Sequence, residues 1–269
     1  MNRVLHGRGL ILLMFLTFTT LGCDSFKHRS DVSNTNYVAS EAFLFEVPVA
    51  DQRAIRLEGI NGSVLLRGRK ITDAVRIEGE KRVGSESQED ANNYLSRLNV
   101  EVYDQQEYVL IRTDQPEENR GRLLEVNYII TFPDTLSIDI TAVNGDMELD
   151  TLHSDLVISH VNGNITLAFV DGNASVSLVN GTINSYMVLP GGGILSNAVV
   201  NGNIVLHLPD STSANLSASL TNGQIYWSGL TINDAIQTST QLTGTLGDGD
   251  GQIRLQSVNG TINITGHKN

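Results

Sequence analysis

From Phe43 to Val83 the chain alternates apolar and polar residues through "EAFLFEVPVA", "AIRLEGINGSVLLRG" and "AVRIEGEKRV". A period of two is the pattern of strands buried on one face, so this stretch is predicted to be β. The period then changes. Ser85 or Ser87 caps a helix at about 86–98, acids fill its first turn, and Ala91, Tyr94, Leu95 and Leu98 fall at i, i+3, i+4 and i+7. Beyond it, "LNVEVYDQQEYVLIRT" predicts a hairpin turning at Asp104 to Gln106, and "RLLEVNYIITF" a further strand closed by Pro133-Asp134.

After Pro133 the pattern becomes repetitive. Asn-Gly pairs stand at Asn144-Gly145, Asn162-Gly163, Asn180-Gly181, Asn201-Gly202 and Asn222-Gly223, at intervals of 18, 18, 21 and 21 residues. Asn259-Gly260 follows 37 residues later with Asp250-Gly251 between, and Asn61-Gly62 is an early copy. The position three after each Asn, or after Asp250, is Val64, Met147, Ile165, Ile183, Ile204, Ile225, Ile253 or Ile262. Two further on stands an apolar residue in every copy but Ser185.

Asn-Gly is also the strongest short hairpin signal, so an antiparallel meander competes with stacked coils. A two-residue hairpin turn at Asn162-Gly163 puts Val161 and Ile165 on opposite faces of one sheet. A corner within a coil lets the preceding Val and the following Ile-x-Leu all point inward, and gives the asparagines a ladder of side-chain hydrogen bonds from coil to coil. The expected fold is therefore all-β: a parallel β-solenoid of 18–21-residue coils with one short helical excursion near the N-terminal end.

The Val-Asn-Gly-x-Ile repeats, the helix after the first copy and the "NYIITFP" strand leading into the repeats resemble the bacterial putative-adhesin family, over about residues 41 to 266. That resemblance implies a β-solenoid in an extracytoplasmic protein, and it brings no catalytic residues.

The first residues carry an address. Arg3 and Arg8 precede "GLILLMFLTFTTLGC", a charged region and a short apolar run that mark a secretory signal at 1–22. Cys23, the single cysteine, closes that run and resembles the lipidated cysteine of bacterial lipoproteins, although Thr20 stands where Leu is usual. Lipid on Cys23 is then the membrane contact. Asp24 resembles a signal for retention at the periplasmic face of the inner membrane. The polar segment 23–40 reads as a tether, 41–132 as an N-terminal β region, and 133–269 as the Asn-Gly repeat domain.

Charge narrows the partners. The chain has 18 Lys and Arg against 30 Asp and Glu, and loss of 1–22 leaves 16 against 30. Such a balance repels phosphate backbones, so nucleic acid is excluded, and a carbohydrate or an envelope protein is the expected ligand. The expectation is a non-catalytic, membrane-anchored envelope protein for adhesion or binding, without cofactor or metal.

The alternative is a polysaccharide-active enzyme using carboxylates around Asp146, Glu148, Asp150 and Asp155. No Lys or Arg occurs between Asp134 and Ile253 to hold an anionic sugar, which weighs against it. "GDGDG" at 247–251 lacks the further acids of a calcium loop, and His153, His160 and His207 are expected at different corners, a poor zinc geometry.

Overall fold

The computed structural model describes residues 3–4 and 36–268. Most of the signal segment, Cys23, Asp24 and the tether up to residue 35 lie outside the described residues. Strand β1 (Arg3–Val4) is followed by β2 (Tyr37–Pro48), β3 (Ala54–Glu58), β4 (Val64–Arg69) and β5 (Ala74–Ser85). Helix α1 (Gln88–Leu95) precedes β6 (Asn99–Asp104), β7 (Tyr108–Asp114) and β8 (Leu123–Pro133). The repeats supply β9 (Ser137–Asn144), β10 (Met147–Leu152), β11 (Leu156–Asn162), β12 (Ile165–Asp171), β13 (Ala174–Val188) and β14 (Ile194–Pro209). Then come β15 (Ala214–Ser228), β16 (Ile232–Gln237), β17 (Gln241–Leu246) and β18 (Gly251–His267).

These strands form one mixed sheet that nearly closes around a single core, and this overturns the expected parallel β-solenoid. Two findings carry the correction. Antiparallel pairs stand beside parallel ones: β2 with β5, β5 with β8, β6 with β7, β15 with β17 and β16 with β17. The stacking is also out of chain order. β18, the last strand, lies between β14 and β15, and β3 lies between β7 and β9. A solenoid adds each coil to the one before it, whereas here late strands are inserted among earlier ones and hairpins finish both ends.

Within this sheet the repeats align in register. Ile138, Leu156 and Ala174 are cross-strand neighbours on β9, β11 and β13, and Ile183, Ile204 and Ile262 on β13, β14 and β18. All are buried, and each Ile or Leu among them contributes about 1.5–3 kcal/mol on leaving water. Polar side chains share this interior too, and two of them pair: Asn197 donates through Nδ2 to Ser185 Oγ at 3.3 Å. Ser185 is the one position where the repeated apolar residue fails.

Helix α1 packs against β2 and β5. Ser87 caps it, accepting from the Asp90 backbone N–H at 3.2 Å. Arg122 then locks the first turn: its Nε and Nη2 reach the Asp90 carboxylate at 2.6 and 2.7 Å, and its guanidinium lies 3.7 Å from the Tyr94 ring centroid. The Arg122 hydrogen bond, with a second from Ser85, lowers the Asp90 carboxyl to about 2. Among the described residues, no helix is long and apolar enough to cross a membrane.

Candidate functional site

Seven of the predicted repeat pairs meet in one column. Asn144 donates through Nδ2 to Asn61 Oδ1 at 2.6 Å, Asn162 to Asn144 at 2.7 Å, Asn180 to Asn162 at 2.7 Å, and Asn201 to Asn180 at 3.0 Å. Asn259 donates to Asn201 at 2.8 Å and Asn222 to Asn259 at 2.9 Å. Every amide is turned the same way, and Asn61 closes the run by donating to the Leu124 carbonyl at 3.1 Å.

The glycines stack beside them. Gly62, Gly145, Gly163, Gly181, Gly202, Gly223 and Gly260 all have φ between +126° and +144°. A Cβ on Gly202 would lie 1.7 Å from the Gly181 carbonyl oxygen, so close backbone approach demands glycine as much as the dihedral does. Asp250-Gly251 does not join. Its Ile253 pairs with Leu195 in the strand segment before the corner, and Asp250 accepts from Ser213 Oγ at 2.9 Å.

The corner has a consequence that overturns the expected inward Val. In an unbroken strand, residues an even number apart share a face. Across Asn-Gly that parity changes. Leu178 and Ile183, five apart, are both buried, while Val179 faces outward. Val143, Val161, Val179, Val200 and Val258 are all exposed, by 36–41%. The core positions beneath are taken by Ala142, His160, Leu178, Val199, Ser257 and Leu220. His160 is buried with Nε2 2.8 Å from the Gly145 carbonyl, and its Nδ1 has no hydrogen-bond partner.

The outward valines line a shallow groove of about 820 Å³. Thr221 ends the column on β15, and Thr141, Ser159, Ser177, Ala198, Gln256 and Ser219 flank it one outward position earlier in each strand. The lining contains no charged residue. At a strand spacing of ~4.8 Å, the six side chains from Val143 to Thr221 extend over about 24 Å. A contiguous apolar stripe with a hydroxyl margin is what a binding face looks like, and sequence reasoning missed it because five valines in register read as core.

The carboxylates of the enzymatic alternative do not converge. Asp146 Oδ1 accepts from the Asn164 backbone N–H at 2.7 Å, Asp150 lies 3.6 Å from Arg69, and Asp155 accepts from Asn173 at 3.0 Å. Asp146 and Asp155 are tied to turn residues of the adjacent repeat, and Asp150 to Arg69 on β4. Among the described residues, no three His, Cys, Asp or Glu side chains are grouped to hold a metal ion.

No family model matches the chain, and no curated protein matches it. Solved structures are similar in part. A "putative cell adhesion protein" of Clostridium sporogenes shares 12% identity at a TM-score of 0.45, over 85% of this chain and 100% of that one. A "putative adhesin" of Bacteroides fragilis shares 12% identity at a TM-score of 0.27, over 84% and 97%. A "putative lipid binding protein" of Parabacteroides distasonis shares 11% identity at 0.27, over 87% and 98%.

Proposed function

We propose that this chain is a non-catalytic envelope protein, anchored through lipid on Cys23 outside the cytoplasmic membrane, that adheres to or binds an envelope component, a carbohydrate or a protein, along its valine groove. The observation that supports the reading is the exposed column Val143, Val161, Val179, Val200 and Val258, kept apolar at positions where folding needs no apolar side chain. An uncharged groove in a chain with 30 acids and 18 bases selects an uncharged surface on the partner. The apolar floor supplies area and the Ser and Thr margin supplies hydrogen bonds.

The test is capture from solubilised envelopes of the producing cell, with the parent chain and a Val161→Asp/Val179→Asp variant as baits. Two carboxylates set into the stripe should abolish capture while the melting temperature stays near the parent's. Equal capture by both baits removes the groove from the account. Glycan turnover lost in Asp146→Asn would instead revive the enzymatic alternative.

A further inference from the structure

A second face of the sheet carries aromatic side chains that neither the core nor the groove uses. On the strand segments that follow the Asn-Gly corner, Tyr186 of β13 pairs in register with His207 of β14. Their rings are stacked, with centroids 4.1 Å apart and planes 8° from parallel. Stacking occupies one face of each ring. The other face of Tyr186 is turned toward β12, the strand on its far side.

Phe169 stands there. Leu167 pairs with Ser185 and Val170 with Met187, so Phe169 occupies the irregular stretch of β12 opposite Tyr186. It is 72% exposed, and its φ is +57°, a conformation that a bulky side chain adopts only under constraint. Thr151, opposite it on β10, has φ of +65°, so the left-handed bend belongs to this edge of the sheet, and what is particular to β12 is the exposed aromatic ring placed on it. Tyr226, 53% exposed on β15, lies in the row one outward position earlier, opposite Asn263, while Thr265 and Ser228 follow His207 across β18 and β15.

The surroundings define the ligand. Thr166, Asn184, Val205 and Asn263 form the next outward row, so amides and a hydroxyl border the rings. Between Asp134 and Ile253 there is no Lys or Arg, which disfavours anionic polymers. Burial and the nearby His267 hold His207 below the ordinary imidazole range, which disfavours a charged ring in the stack.

We propose that Phe169, Tyr186 and His207 form a platform for a neutral glycan, with a pyranose ring seated against the free face of Tyr186 beside Phe169. A pyranose has a C–H face that packs on an aromatic ring and a rim of hydroxyls that bond to amides. The row of rings and amides offers both. This site is separate from the valine groove and goes beyond it.

The test is native affinity electrophoresis of the full chain in neutral detergent, in gels containing laminarin, mannan, hydroxyethyl cellulose, dextran or polygalacturonate. At least one of the four neutral polymers should retard the parent, and Phe169→Gly/Tyr186→Ala should weaken that retardation tenfold or more. Glycine suits the positive φ at 169, so the variant should melt at or near the parent temperature. Leu44→Asp, at an exposed position of β2 outside both the platform and the groove, should be retarded like the parent. Retardation of the parent by none of the neutral polymers, or by polygalacturonate alone, overturns the proposal. So does equal retardation of the aromatic variant.

Discussion

Val200 and Ile204 stand four residues apart in β14 and face opposite ways: Val200 is 41% exposed and Ile204 is fully buried. The left-handed glycine between them reverses the alternation of the strand. The same reversal at each copy builds a buried isoleucine column and an exposed valine column from one repeated phrase.

The ladder should respond to loss of a middle rung. Asn180→Ala leaves Asn162 Oδ1 and Asn201 Nδ2 without their partner, on an exposed corner where water replaces part of the loss. Urea unfolding should show a cost of about 1 kcal/mol. A neutral result would mean that the ladder accompanies the fold without stabilising it.

Gly202→Ala should cost more than Asn180→Ala. The added methyl meets the Gly181 carbonyl, and φ at +144° strains any residue with a Cβ. A loss well above ~1 kcal/mol is expected by the same measurement, because no side-chain movement relieves a clash with backbone.

Acid should loosen the helix end through Asp90. Its carboxyl is held at about 2 in the fold, chiefly by its hydrogen bond from Arg122, against about 3.9 unfolded. A depressed carboxyl stabilises fully above its unfolded value, and that contribution fades as the pH falls from about 4 toward 2. Arg122→Met should flatten this part of the stability-pH curve. An unchanged slope between pH 4 and pH 2 would assign it to other acids.

His207 should act at milder pH. Its folded value lies below the ordinary imidazole range, so the unfolded chain takes up the proton first and stability declines as pH falls below about 6.5. His207→Phe keeps a ring against Tyr186 and should remove that decline, as followed by melting temperature between pH 7.5 and pH 5.

Cys23→Ser should leave the protein either uncleaved or free in the soluble fraction. Recovery of a processed mature chain with the membranes would contradict lipid anchoring.

Much of this was legible in the residues, and for a physical reason. An asparagine ladder and a glycine stack tolerate no substitution of kind, so Asn61 through Asn259 mark the corner wherever it occurs, and Ile183, Ile204 and Ile262 mark the core three residues on. The order of stacking was not legible, because one copy of the phrase carries nothing that says which copy lies beside it. Hence β18 between β14 and β15 could not be anticipated. Asp250-Gly251 matched the local pattern yet opens a strand segment that lies before the corner. The groove was hidden for the opposite reason. Apolar residues in register are normally core, and only the parity change at Gly202 shows that Val200 is not. Phe169 left no repeat signature at all.

The most direct measurement compares Val200→Asp with Ile204→Asp, by urea unfolding and by capture of the envelope partner. Val200→Asp should keep stability within about 1 kcal/mol of the parent, as an outward strand position does, and lose capture. Ile204→Asp should lose several kcal/mol, because it buries an unpaired carboxylate. Comparable severe losses in both variants would place Val200 in the core and contradict the binding groove.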